Sequence, residues 1–330
     1  MAITLLTPNL IYRLSLLLLM ASLSLPAEAA PHVSQLYQFT YPTAVENLFS
    51  LPNGCLLLST SADANLYYID PEALFPAAQH VITLPGSIRL TGIAALGDDL
   101  YAVAGAATNT EHCMQVYVIK VLTEGLVNVT LDHIVPVPDT MSISGMAALP
   151  KNPRTILAAD SIGGRILRIN TSENTVSVAF EHAALKPNGH GNATGNGIKG
   201  LKIRDNHLYF TNSAQRLFGR FPIDANGSNT GDVNILARLD GNDASYDDFS
   251  FDEEGNALVA VHPSSVHKIT PEGAQSIVAG GVNSTSPEFL EPTSVVVSSK
   301  GVVMYVSTAG KDTGFPISGG QVLRVQTGAP

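Results

Sequence analysis

The chain has 330 residues, 45% of them apolar and 14% charged, with 28 Gly, 20 Pro and a net charge of −10. This composition builds a packed core, and it lacks the clustered Lys and Arg on which phosphate-backbone affinity rests, so no nucleic-acid partner is expected. No apolar run after residue 30 approaches the roughly 20 residues that cross a bilayer, so no membrane span is expected beyond that point.

At the N-terminus Arg13 precedes an apolar stretch over 14–25, followed by Pro26 and Ala27-Glu28-Ala29 with small residues at −3 and −1. This predicts a secretory signal over 1–30, cut near Ala29 or Ala30, and a secreted or secretory-lumen protein. The alternative, a buried N-terminal helix, would lack polar spacing. Five Asn-x-Ser/Thr sequons fit export and glycosylation: Asn128, Asn170, Asn192, Asn226 and Asn283. The two cysteines, Cys55 and Cys113, either pair as a disulfide in that oxidising compartment or remain separate buried thiols. Their spacing resembles no zinc site.

From residue 31 onward the chain repeats itself about every 50 residues. An unpaired strand over 33–39 comes first. Six first strands then begin at Glu46-Asn47-Leu48, Thr91-Gly92-Ile93, Ser144-Gly145-Met146, Asn196-Gly197-Ile198, Asp247-Asp248-Phe249 and Thr293-Ser294-Val295. Each is followed by a turn rich in Gly, Asn or Asp, such as Pro52-Asn53-Gly54 or Glu254-Gly255-Asn256. Second strands read LLLST, YAVAG, LAADS, YFTNS, VAVHP and YVSTA, and third strands LYYID, VYVIK, ILRIN, LFGRFPI, VHKIT and VLRV. Five copies also carry a fourth strand, near 80–84, 133–137, 175–180, 234–239 and 275–279. The sixth has no room for one, and the strand over 33–39 is its natural donor. The expectation is an all-β chain over 31–330, a six-bladed β-propeller of four-stranded antiparallel blades closed by its N-terminal strand. A pair of β-sandwiches gives no reason for a sixfold period.

In a propeller the start of each first strand and the end of each second strand meet at one mouth of the central channel. This gathers Glu46, Thr91, Ser144, Asn196, Asp247 and Thr293 in one ring, with Thr60, Gly105, Ser161, Asn212, His262 and Thr308 beside them. Polar identity varies most at these leading positions, as at a binding site on a rigid frame. Inward carboxylates such as Glu46 and Asp247 need partners or raised pKa values. The bland reading is a set of polar groups that solvate a water-filled channel.

Gly195-Asn196-Gly197-Ile198-Lys199, Leu208-Tyr209-Phe210-Thr211-Asn212-Ser213 and the segment from Asp247 to Asn256 resemble the SMP-30/gluconolactonase-like family of six-bladed propellers. The resemblance spans essentially the whole repeat region. In lactonases of that family a Glu, two Asn and an Asp hold a divalent cation, and Glu46, Asn196 and Asp247 match three of these. Ser144 stands where the pattern has Asn. The phrases ENL, GMAAL, LAADS, NGIKGL, LYFTNS and DDFSFDEEGNA are similar to a secreted fungal branch in secondary metabolism, some members of which are hetero-Diels-Alderases that join a quinone methide to a terpene alkene.

A cycloaddition needs two apolar partners held in near-attack geometry and a hydrogen bond to one carbonyl. The candidate catalytic residues are Asn196, Asp247, Glu46, His262 and Asn212. Candidate substrate contacts are Thr91, Ser144, Thr293, Thr308, Tyr246 and Arg216, with Leu217, Phe218 and Phe315 as apolar walls. The expected partners are small apolar substrates, and no cofactor is expected. The alternatives are a lactonase using Ca or Mg on Glu46, Asn196 and Asp247, with Asp247 as base, and a non-catalytic small-molecule binder. Substituting Asn196 or Asp247 by Ala is expected to abolish turnover and leave the melting temperature nearly unchanged. No Gly-x-Ser-x-Gly elbow, dinucleotide motif or calcium-loop spacing occurs.

Overall fold

The computed structural model describes residues 31–108, 114–187, 195–241, 243–281, 288–298, 301, 303–313 and 316–326. These residues form six four-stranded antiparallel sheets. The innermost strands are Val45–Ser50, Ser87–Gly97, Ile143–Leu149, Ile198–Arg204, Ser245–Phe251 and Pro292–Val297, which define blades 1 to 6. Each innermost strand packs beside the next, and the sixth packs beside the first, so the sheets close as a ring. In blade 6 the outer place is taken by His32–Gln38, which pairs antiparallel with Gln321–Gln326. The six-bladed propeller and its closure by the N-terminal strand are therefore as the repeat predicts.

The core follows from strand alternation. Both faces of every blade are covered by neighbours, so successive side chains of one strand enter two different blade interfaces. In His207–Asn212, for example, Leu208 and Phe210 pack toward blade 3, while Tyr209 packs toward blade 5. Six apolar clusters result, one in each interface between neighbouring blades. Leu217 and Phe218 are adjacent in the third strand of blade 4, so they enter two of these clusters and each is 1% exposed. They are core residues, not walls of the mouth as expected.

The thiol of Cys55 is free and buried, and burial raises its pKa above the usual thiol value. Cys113 lies outside the described residues. The expected pairing of Cys55 with Cys113 is not seen; Cys55 is a free, buried thiol among the described residues.

Among the sequons, Asn128 and Asn226 are exposed, and Asn170 is half-buried with its side-chain oxygen accepting from the Ser172 and Glu173 amides. Asn192 and Asn283 lie outside the described residues, as does the leader over 1–30. No helix among the described residues is long and apolar enough to cross a membrane.

Candidate functional site

Every innermost strand carries a β-bulge near its start, where its ladder to the second strand gains a residue. The register passes from Val45↔Thr60 to Asn47↔Ser59 in blade 1, and from Leu90↔Gly105 to Ile93↔Val103 in blade 2. It passes from Ile143↔Asp160 to Met146↔Ala158 in blade 3, and from Ile198↔Asn212 to Leu201↔Phe210 in blade 4. Blades 5 and 6 shift from Tyr246↔Val261 to Phe249↔Val259 and from Pro292↔Thr308 to Ser294↔Ser307. A bulge re-aims side chains out of the ladder, here toward the hub. The residues it selects are Glu46, Thr91, Ser144, Lys199, Asp247 and Thr293.

Five of these are the expected ring residues; the blade 4 member is Lys199 rather than Asn196. Asn196-Gly197 and Lys199-Gly200 offer the same polar-Gly step three residues apart, and packing selects the second. A Cβ on Gly200 would lie 2.8 Å from Asp248 Oδ1 and from the Phe249 ring, and one on Gly92 would lie 2.0 Å from the Ser144 carbonyl oxygen. The glycine of this step is required because it touches the next blade's bulge. Asn196 stays half-buried just above, lining the same cleft as Lys199, and its side chain makes no hydrogen bond among the described residues.

The site is a row of alternating charge. Lys199 Nζ lies 3.2 Å from Glu46 Oε1 and 3.4 Å from Asp247 Oδ1. The other Asp247 oxygen is 3.0 Å from His262 Nε2, and His262 Nδ1 is 2.5 Å from Glu291 Oε2. Burial opposes charge on Lys199, but the Asp247 and Glu46 carboxylates outweigh it and hold the amine above the ordinary lysine range. Burial likewise opposes charge on His262, and its hydrogen bonds to Asp247 and Glu291 overcome this, raising the pKa to about 9. Both groups are therefore cations at neutral pH. Directly beneath, Asp248 accepts from Asn47 at 2.9 Å, Ser294 at 3.0 Å and Lys202 at 2.6 Å. Both carboxylates of the Asp247-Asp248 pair thus face inward, at different depths.

Several expected contacts serve the scaffold instead. Thr91 donates to the Ile143 carbonyl at 2.6 Å and Thr293 to the Val45 carbonyl at 2.8 Å, each joining one blade to the next. Ser144 pairs with Ser161 at 2.7 Å, and Thr308 with Gln321 at 3.2 Å. Asn212 is fully buried: its amide donates to the Ala184 and Lys186 carbonyls, and its oxygen accepts from the Gln215 amide. It fixes the loop after blade 3 and has no hydrogen left for a substrate. Tyr246 is fully buried between blades 4 and 5, and its hydroxyl donates to Gln275 Oε1 at 2.5 Å. Arg216 donates to the Gly241 carbonyl. Phe315 lies outside the described residues.

The cleft over the row has a volume of about 310 Å³ and is lined by Glu46, Lys199, Asn196, Arg89, Met141 and Ile162, among others. A hollow of about 490 Å³ between blades 4 and 5, lined by Leu236, Gly273 and Ile277, is larger but lies on the outer flank, away from the row. Lys199 and Arg89 escaped the sequence reading, as did Met141 and Ile162. The signal for Lys199 was present, because Lys199-Gly200-Leu201 repeats the step of Thr91-Gly92-Ile93. Glu291, in the connection entering blade 6, had no such signal.

A divalent cation, as the resemblance implies, does not suit these donors. Glu46 and Asp247 already share the ammonium of Lys199, His262 takes the second Asp247 oxygen, and the Ser144 hydroxyl is paired with Ser161. An ion seated between the carboxylates would meet a fixed positive charge, at about 4 kcal/mol per pair of unit charges 4 Å apart near a protein surface.

No family model matches the chain. It is 25% identical over 275 residues, 76% of its length, to a proposed hetero-Diels-Alderase of Phoma sp, of which it covers 78%. In fold it is similar to a luciferin-regenerating enzyme, with a TM-score of 0.62, 16% identity, and coverage of 91% of this chain and 98% of that one. It is also similar to a gluconolactonase of Xanthomonas campestris, with a TM-score of 0.59, 10% identity, and coverage of 91% and 90%. Fold and site together define a six-bladed propeller with a charged cleft at its hub. In sequence it is similar to an enzyme named for cycloaddition, and in fold to enzymes that include a lactonase.

Proposed function

We propose that the protein is a secreted enzyme of fungal secondary metabolism that catalyses an intermolecular hetero-Diels-Alder cycloaddition, joining a quinone methide to a terpene alkene. The observation that carries this reading is the ammonium of Lys199, held at 3.2 and 3.4 Å by Glu46 and Asp247 while it lines the cleft. An ammonium has three N–H donors, so two carboxylates leave one for a ligand. Donated to the carbonyl oxygen of the heterodiene, it stabilises the negative charge that grows there as the bonds form. The Asn196 amide is a second donor. Met141 and Ile162 give the alkene an apolar wall, and the rigid ring holds both partners in near-attack geometry.

The step balances without a base, an oxidant or a leaving group. One carbon–carbon and one carbon–oxygen bond form, and three π bonds become one within the new dihydropyran. Asp247 and His262 act as positioning residues: they fix the lysine and are not required to move a proton.

Turnover of a quinone methide precursor with a terpene alkene, with the product resolved on a chiral column, tests the reading. The wild-type protein should yield one stereoisomer at a rate unaffected by EDTA, and Lys199→Met should slow formation by about 100-fold, the typical cost of a lost oxyanion donor. Full rate and stereoselectivity in Lys199→Met would overturn it. The second reading is lactone hydrolysis, for which the inward Asp247 carboxylate is the candidate base; hydrolysis of an aldonolactone that is lost in Asp247→Asn would establish it instead.

A further inference from the structure

We propose that the blade 2 side of this cleft is an anion subsite, in which Arg89 receives a planar anionic oxygen pair, such as a carboxylate, on one of the substrates. The inference rests on the reading of the cleft as a substrate site, and it assigns that substrate a charge. Arg89 lines the cleft together with Lys199 and Met141. Its guanidinium carries five N–H donors in a fixed fork suited to two parallel bonds to an oxygen pair. Here it makes one long bond, from an Nη to the Met141 carbonyl at 3.3 Å. Its Nε is buried with no hydrogen-bond partner.

A buried, unpaired donor on a charged group is costly unless a further acceptor arrives. The described residues do not supply one. Glu46, the carboxylate in the lining, is bound to Lys199, while Asp247 and Glu291 are bound by His262 on blades 5 and 6. Arg89 forms no ion pair among the described residues, although the chain carries ten more acidic than basic groups. A small turn of the guanidinium away from Met141 would exchange one long bond for a bidentate pair. The apolar Met141 and Ile162 beside it would then cover the body of the same ligand, which gives a substrate with an apolar skeleton and one charged end.

Calorimetric titration with benzoate and with its neutral counterpart benzamide tests the assignment. Benzoate should bind the wild type at least about tenfold more tightly than benzamide, as expected for a charge-assisted bidentate pair. Arg89→Gln should remove that preference. Arg89→Lys should recover part of it, because charge remains and the fork is lost. Lys199→Met, which tests the catalytic reading, should leave the preference in place, so the two proposals fail separately. Equal binding of the two probes to the wild type, no saturation by benzoate, or a preference lost in Lys199→Met and retained in Arg89→Gln would each overturn the assignment.

Discussion

His262 is the residue at which the site's chemistry meets the stability of the fold. Its pKa is raised from the ordinary 6.5 to about 9 by Asp247 and Glu291 against the opposing effect of burial. A group whose pKa rises on folding adds stability that is complete below its unfolded value and is lost as pH climbs through the folded one. The protein should therefore lose stability between about pH 6.5 and 9, by about 2 kcal/mol once the solvent reaching the ring is allowed for. Chemical denaturation across this range should show the decline, and His262→Gln should flatten it. Asp247→Ala should remove turnover and also lower the melting temperature, since it leaves Lys199 and His262 without their shared partner. That revises the expectation from sequence of a silent change in stability. Asn196→Ala, with no side-chain hydrogen bond to lose among the described residues, should leave the melting temperature unchanged; a fall of several degrees by calorimetry would contradict its placement.

At the level of the strand, the bulge is the device that makes a site out of a repeat. The sequence carries its signature as a polar residue followed by Gly in blades 2, 3 and 4, and this is why Thr91, Ser144 and Lys199 fall on one ring with Glu46, Asp247 and Thr293. The choice between Asn196 and Lys199 was not legible, because both glycines are crowded and only the neighbour differs: Gly197 meets the 185–187 loop, whereas Gly200 meets Asp248 and Phe249 in the next blade's bulge. Tyr246, Leu217 and Phe218 were misplaced for a related reason. Their strands alternate between two covered faces, so an apolar residue near the mouth in sequence belongs to an interface. Gly92→Ala should destabilise by about 2 kcal/mol, the usual range for forcing an atom into a full space, because its Cβ would meet the Ser144 carbonyl. Urea denaturation measures this, and an unchanged midpoint would show that the bulges do not need the glycine.

For the whole molecule, the sixfold period and the missing strand of the last blade were sufficient to read the ring and its closure. Charge partners were not readable in the same way, because Lys199, Glu46 and Asp247 come from three blades and meet only once the ring is shut. Removing residues 31–38 should uncover the edge of Gln321–Gln326. The expected result is a melting temperature lower by roughly 10 °C or more, with self-association visible by light scattering. The knot of Asn47, Asp248 and Ser294 joins blades 1, 5 and 6 directly under the charged row. Glu46 and Asp247 each sit one residue from a member of this knot, so their spacing is tied to it. Loosening the knot should therefore blur the chirality of the product before it slows its formation.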